Sequence, residues 1–153
     1  MKLTPKLTLK DAKIIMQACV EQAEKIAVDM DIAITDDAGH LLCFERMDNA
    51  RITSIDISIG KSFTASAARK STREYGQVSG AGQPAFGINT SNQGRFSIIA
   101  GGLPLFFEDH IVGGIGCSSG TPDQDETVAM AGVKAFEELV CRPQNDVISA
   151  RRQ

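Results

Sequence analysis

The sequence predicts an α/β chain of the α+β kind, an antiparallel, roughly five-stranded sheet flanked by helices. Three observations carry that expectation. Helical and strand periodicities alternate in the order helix, strand, strand, helix, long loop, strand, strand, strand, helix. The strands come in pairs joined by short turns, so neighbours should run antiparallel. Stretches such as 103–107 are apolar on both faces, which calls for cover on both sides of the sheet.

Each element has a local reason. Thr8 is a good N-cap, with Asp11 in the favourable first turn. Ala12, Ile15, Met16, Cys19, Ala23, Ile26 and Ala27 then recur at three- and four-residue steps, one apolar stripe on a helix. No charged residue sits in that stripe, so this helix is core. Ile32–Thr35 reads as a strand, Asp36-Asp37-Ala38-Gly39 as a turn, and His40–Met47 as the return strand. Thr53 or Ser54 then caps a second helix, whose apolar stripe is Ile52, Ile55, Ile59, Phe63 and Ala67. Small residues crowd the same helix (Ser58, Gly60, Ser62, Ala65, Ser66, Ala68) and let another backbone come near Lys61.

From Ser71 to Gly94 glycines and Pro84 leave room for a short helix at most, then a loop. A loop of that length in a compact domain is often functional or lines an interface. Arg95–Ala100 reads as a short strand. Leu103, Leu105 and Phe107 alternate on the next, and Phe106 must point the other way, toward a second layer or a partner. On the last strand Ile111, Gly113, Ile115 and Cys117 share one face, with Val112, Gly114, Gly116 and Ser118 on the other. A strand this rich in glycine is weak by propensity, so something must approach its backbone closely. Thr121, Pro122 and Gln124 start the last helix, whose inward stripe is Val128, Gly132, Ala135, Phe136 and Leu139. Pro143 should stop it, leaving a polar tail from Gln144.

Composition excludes several function classes. A chain of 153 residues suits a single domain spanning 1–153, with its core at about 8–140. The net charge of −3, without a basic stripe, argues against nucleic acid and anionic membranes as partners. The start is polar and no run reaches the roughly 18 apolar residues of a spanning helix, so a cytoplasmic location is expected. Cys19, Cys43, Cys117 and Cys141 stand far apart in apolar stretches and read as buried free thiols. Gly114-x-Gly116 lies between a strand and a helix, but the third glycine of a dinucleotide fingerprint would fall at Ser119. Asp123, Asp125 and Glu126 also place negative charge where a phosphate would sit.

The segments DDAGHLLCFERMDNA, SIDISIGKSFTASAA, GGLPL and VGGIGCSSG followed by QDETVA stand in this order across about residues 8–140. In order and spacing they resemble the GlcG/HbpS-like haem-binding family, which is related to the C-terminal domain of PduO-type proteins. The resemblance implies a profilin-like three-layer arrangement, a homo-oligomer of tetramer to octamer size, and haem as a cofactor in some members. It also implies a small-molecule-binding role auxiliary to a catabolic operon. The chain departs from the family pattern at Asp29 and Asp109-His110, where glycines are usual, and at Asn49 within Arg46-Met47-Asp48-Asn49-Ala50.

Candidate chemistry follows from these segments. Arg46, Asp48 and Lys61 match family motif positions. A guanidinium at 46 can hold a carboxylate bidentately, a haem propionate or a small acid. A lysine at 61 in a low-dielectric cleft can act as base or Schiff-base nucleophile, with Glu126 a weaker candidate acid or base. The pocket is expected beside Gly101, Gly102 and Pro104. His40 or His110 can serve as a haem axial ligand, whereas two histidines without a signature make a poor zinc site. Against these stand solvated loop histidines, an Arg46–Asp48 pair at a structural turn and an outward-reaching Lys61. Three functions therefore remain open: a small-molecule-binding protein, an enzyme acting on a small carboxylate or carbonyl compound, and a structural assembly subunit.

Overall fold

The structure, a computed structural model, describes residues 1–141. The stop at Pro143 and the polar tail from Gln144 lie outside the described residues. Among the described residues there are four α-helices: α1 (Leu9–Lys25), α2 (Ser54–Ala68), α3 (Thr72–Val78) and α4 (Pro122–Cys141). Four strands, β1 (Asp31–Asp36), β2 (Leu41–Arg46), β3 (Gly102–Phe107) and β4 (His110–Ser118), pair antiparallel in the order β2-β1-β4-β3.

Caps and turns form largely as the residue chemistry dictates. Thr8 and Asp11 make a capping box on α1, and Ser71 and Glu74 make another on α3. Asp36 accepts from the backbone N–H groups of Ala38 and His40, which closes the β1–β2 turn. Thr121 and Gln124 exchange side-chain and backbone bonds at the start of α4. Thr53 is a correction. It precedes α2 in helical conformation and makes no side-chain capping bond. Turn bonds from Ser54 N to Arg51 O and Ile55 N to Ile52 O already occupy those donors.

The sheet has helices on both faces, giving three layers. On one side α1 and α4 pack through Ile15, Met16, Cys19, Val128 and Phe136 onto Ile32, Ile34, Leu103, Leu105, Ile115 and Cys117. Each large aliphatic side chain buried there contributes roughly 1.5–3 kcal/mol of transfer free energy. Phe107 joins this core, while its neighbour Phe106 points outward and is half exposed.

The other face is covered by α2, turned differently from its apolar stripe. Its buried side chains are Ser54, Ser58, Lys61, Ser62, Phe63, Thr64, Ala65 and Ser66, whereas Ile52 and Ala67 are exposed. The reason is close approach. A Cβ added at Gly114 would lie 2.5 Å from Ser62 O, and one at Gly116 would collide with Ser58 O. Bulky side chains cannot enter so narrow a gap, but serines can. Ser62 Oγ donates to Gly114 O at 2.9 Å, and Thr35 Oγ1 donates to Ser62 O at 3.1 Å. The glycines of β4 thus admit a small-residue helix.

The expected fifth strand does not form. Residues 95–100 run as an irregular segment against the helices. Ser97 N donates to Thr64 Oγ1 of α2 instead of to a strand, and Ile98 O lies so near Gly76 of α3 that a Cβ there would be 2.5 Å away. Phe96 is buried and meets Tyr75 edge-to-face at 4.8 Å. The long loop before it carries α3 and two short 3-10 turns. Of the cysteines, Cys19 and Cys117 are buried, Cys43 is half-buried and Cys141 is exposed, so the buried reading holds for two of four.

Candidate functional site

Lys61 sits where the small-residue face of α2 meets the end of β4. Its side chain is 1% exposed. Nζ donates to Asp125 Oδ2 at 2.7 Å and to Cys117 O at 2.8 Å, and Asp125 Oδ1 accepts from Gly120 N at 2.9 Å. These bonds tie α2, β4 and the first turn of α4 together. Gly101, at φ 118°, closes the remaining side: a Cβ there would lie 2.8 Å from Lys61 Nζ and 2.6 Å from Cys117 O. Gly102 packs against Thr72 and Lys61 O, and Pro104 is partly buried on β3. The structure thus brings Lys61, Gly101 and Gly102 together, in an enclosed ion pair and not along an open cleft. Burial also pushes the Cys117 thiol well above its ordinary value, so it carries no thiolate chemistry.

Arg46 is elsewhere. It ends the edge strand β2, exposed, opposite Asp31 of β1. Asp48 is exposed in the following turn. Asp31 is fully buried, and neither carboxylate oxygen has a hydrogen-bond partner among the described residues. Burial raises its pKa above 3.8, and the charge of Arg46 partly opposes the rise. The folded protein therefore keeps a proton that the unfolded chain has released, over the window from 3.8 up to the raised value. The stability linked to Asp31 is complete below that window and is lost as pH rises through it. Asp31→Asn should accordingly gain stability over the parent at pH 7, with the gain shrinking toward pH 3.5. Urea midpoints across that range check this, and a gain that grows on acidification would refute it.

Glu126 is paired with Arg73 at 2.5 Å, and Arg73 also holds the exposed Asp123 at 2.6 Å, a half-buried network between α3 and α4. These carboxylates hold the Arg73 pKa above its ordinary value. Glu126 also lines a shallow hollow of about 480 Å3 with Gln22, Thr127 and Lys134. His40 is exposed after the β1–β2 turn, and His110 is partly buried at the start of β4 with Nδ1 unpartnered among the described residues. Among the described residues, no three His, Cys, Asp or Glu side chains converge on a metal position.

Among the described residues, a groove with convergent apolar and charged side chains lies on the outer face of α2, under the segment 89–99. Its volume is about 580 Å3, within the range of small-molecule sites. Ile57, Ile59, Phe63, Phe96, Ile98 and Ile99 supply apolar walls, Arg95 and Asp56 the charges, and Gly39 one end. Arg95 stacks over the Phe63 ring at 4.2 Å from its centroid, and its Nε donates to Asn92 O at 3.2 Å. A hollow of about 760 Å3 along α1, from Leu9 to Glu21, is larger but more open, and none of the residues singled out above lines it.

None of the site residues singled out in the sequence lines this groove; His40 and Lys61 directly follow its lining residues Gly39 and Gly60. Arg95 and Asp56 were not singled out as site residues. The available signal was an arginine directly after a glycine-rich loop, on a segment read as a strand.

A three-layer α+β protein with a groove on the outer face of one covering helix is the class defined here. The particular family follows from residues 7–134, which match "Haem degrading protein HbpS-like", and the chain belongs to it. It is similar to the uncharacterized 15.0 kDa protein in the dhaT–dhaS intergenic region of Citrobacter freundii, 36% identical over 133 residues, covering 87% of this chain and 94% of that protein. Its structure is similar to the Klebsiella pneumoniae protein ORFY, with a TM-score of 0.87 and 31% identity, covering 90% and 94% of the two chains. It is also similar to the PduOC:heme complex, with a TM-score of 0.83 and 28% identity, covering 86% and 95%.

The groove's residues suit haem. Its apolar walls match a porphyrin face and Arg95 matches a propionate, while no histidine is among its lining residues and the exposed His40 follows the lining residue Gly39.

Proposed function

We propose that the protein binds a small molecule of the haem or tetrapyrrole class and serves as an auxiliary member of a catabolic operon. The observation that carries this reading is the apolar groove on α2 with one stacked cation at its rim. Family membership supports it, as does the haem complex of a relative sharing the fold. A relative encoded between dhaT and dhaS supports the operon context. Ile57, Phe63, Phe96, Ile98 and Ile99 would hold the ring, Arg95 its acidic edge, and His40 the iron. Bound haem would supply a redox-active iron. The chain's own residues bind, orient and shield the ring from water. Arg46 ends the edge strand, Asp48 lies in the turn after it, and Lys61 supports the groove from beneath through α2.

The protein acts as a homo-oligomer in this reading. Ile52, Phe86 and Phe106 are 74%, 70% and 45% exposed, and their burial is more favourable between subunits than in water. Haem titration should give a Soret shift that saturates near one haem per chain. His40→Ala should change the band position while leaving the oligomer intact. A flat spectrum from a folded oligomer would remove haem as the ligand.

A further inference from the structure

Three consecutive residues before Arg95 adopt left-handed backbone conformations: Asn92 at φ 52°, Gln93 at 61° and Gly94 at 76°. Two non-glycine residues in that region in succession are uncommon and cost free energy. Their result is to turn the chain so that Arg95 lies over the Phe63 ring, with Nε tied back to Asn92 O. The two terminal nitrogens of its guanidinium have no partner among the described residues. A planar cation stacked on one face, with its outer donors unpaired, is set to receive a carboxylate.

The other charge in the groove is Asp56. It forms no ion pair among the described residues. Asp56 and Phe63 are seven residues apart on α2, about 10 Å along the helix axis. Ile57 and Gly60 lie between them on the same helix, and Ile98 and Ile99 belong to the opposite wall. The groove is therefore polarised: cationic where Arg95 stacks on Phe63, acidic at the other end, apolar in between.

We infer that this groove selects an apolar ligand whose carboxylates are confined to one edge, with Arg95 binding that edge and Asp56 excluding acid groups from the opposite end. The inference deepens the small-molecule reading and rests on it. It assigns Arg95 as the residue that fixes ligand orientation and Asp56 as a specificity determinant.

The test compares the wild type with Arg95→Gln and Asp56→Asn, all checked for an unchanged thermal midpoint. The porphyrin probes are protoporphyrin IX, with both acids on one edge, its dimethyl ester, and uroporphyrin, with acids on every side. Arg95→Gln should weaken protoporphyrin IX about tenfold, the scale of one charge-assisted hydrogen bond, and leave the ester unchanged. Uroporphyrin should bind poorly to the wild type and better to Asp56→Asn. Equal binding of the acid and its ester, or no effect of Arg95→Gln, overturns the inference. A second pair separates it from the haem reading: anionic anilinonaphthalene sulfonate and uncharged phenylnaphthylamine. If porphyrins fail but the sulfonate binds in an Arg95-dependent way, the haem reading falls and the polarised groove stands. If neither probe class binds, both fall.

Discussion

Lys61→Met is expected to lower the unfolding free energy by about 3–5 kcal/mol, the scale of breaking one side of a buried ion pair. The large effect comes from what stays behind. Asp125 is 3% exposed, and without Lys61 its Oδ2 would face Cys117 O and the backbone at Gly101 with no compensating cation. Methionine fills similar volume, so most of the loss is electrostatic and not cavity formation. Adding Asp125→Asn should recover a substantial part. Asparagine can still accept the Gly120 N–H through its oxygen, and it removes the uncompensated charge. Urea unfolding of the two single variants and the double variant measures the coupling. A Lys61→Met loss below about 1 kcal/mol would place the pair in the exposed class, contrary to its enclosure.

Gly116→Ala should cost about 3 kcal/mol or more, at the upper end of overpacking penalties. The added methyl would meet Ser58 O, Ser62 N at 2.5 Å and Ser62 Cβ at 3.0 Å, two of the three being rigid helix backbone. Either α2 lifts off the sheet or β4 bends away from it. Lifting α2 would stretch the Ser62–Gly114 and Thr35–Ser62 hydrogen bonds and loosen the groove on its far side. Gly80→Ala serves as control. Its Cβ would meet nothing nearer than Gln83 Cγ at 3.9 Å, so its change should stay within about 0.5 kcal/mol. Thermal unfolding of both variants decides the matter, and similar midpoints would show that α2 does not seat against β4 as described.

Much of the fold was legible along the chain. The stripe on α1 predicted its buried residues from Ala12 to Ala23 because a helix packed on one side repeats every three to four residues, whereas Ile26 and Ala27 fall beyond the helix end at Lys25 and Ala27 is exposed in a left-handed conformation. The β1–β2 turn and the caps at Thr8 and Thr121 are local chemistry, in which the side chain and the backbone it satisfies lie within four residues. The alternation of Leu103, Leu105 and Phe107 likewise placed them on the core face.

The orientation of α2 and the fate of 95–100 were not legible, for a shared reason. Isoleucines on α2 suggested an inward apolar stripe, but the gap over Gly114 and Gly116 admits only serines and alanines. That gap is a property of two segments about fifty residues apart. Once α2 turned its serines inward, Ile57 and Ile59 faced out and became the floor of a groove, and 95–100 covered that face instead of extending the sheet. The same rotation enclosed Lys61 against Asp125, sixty-four residues on, while Arg46 sits at the sheet edge because β2 is the outer strand.

By itself, then, the sequence determined the α+β class, the helix and hairpin order, most caps, and the segments that mark the HbpS-like family. Only the tertiary structure decided which face of α2 is buried, that Lys61 closes an ion pair, and that Arg95 and Asp56 stand at opposite ends of one groove. Periodicity reports how a residue relates to its own helix or strand. Close approach between distant backbones, set here by the glycines of β4, decides which of those faces meets the sheet and which meets a ligand.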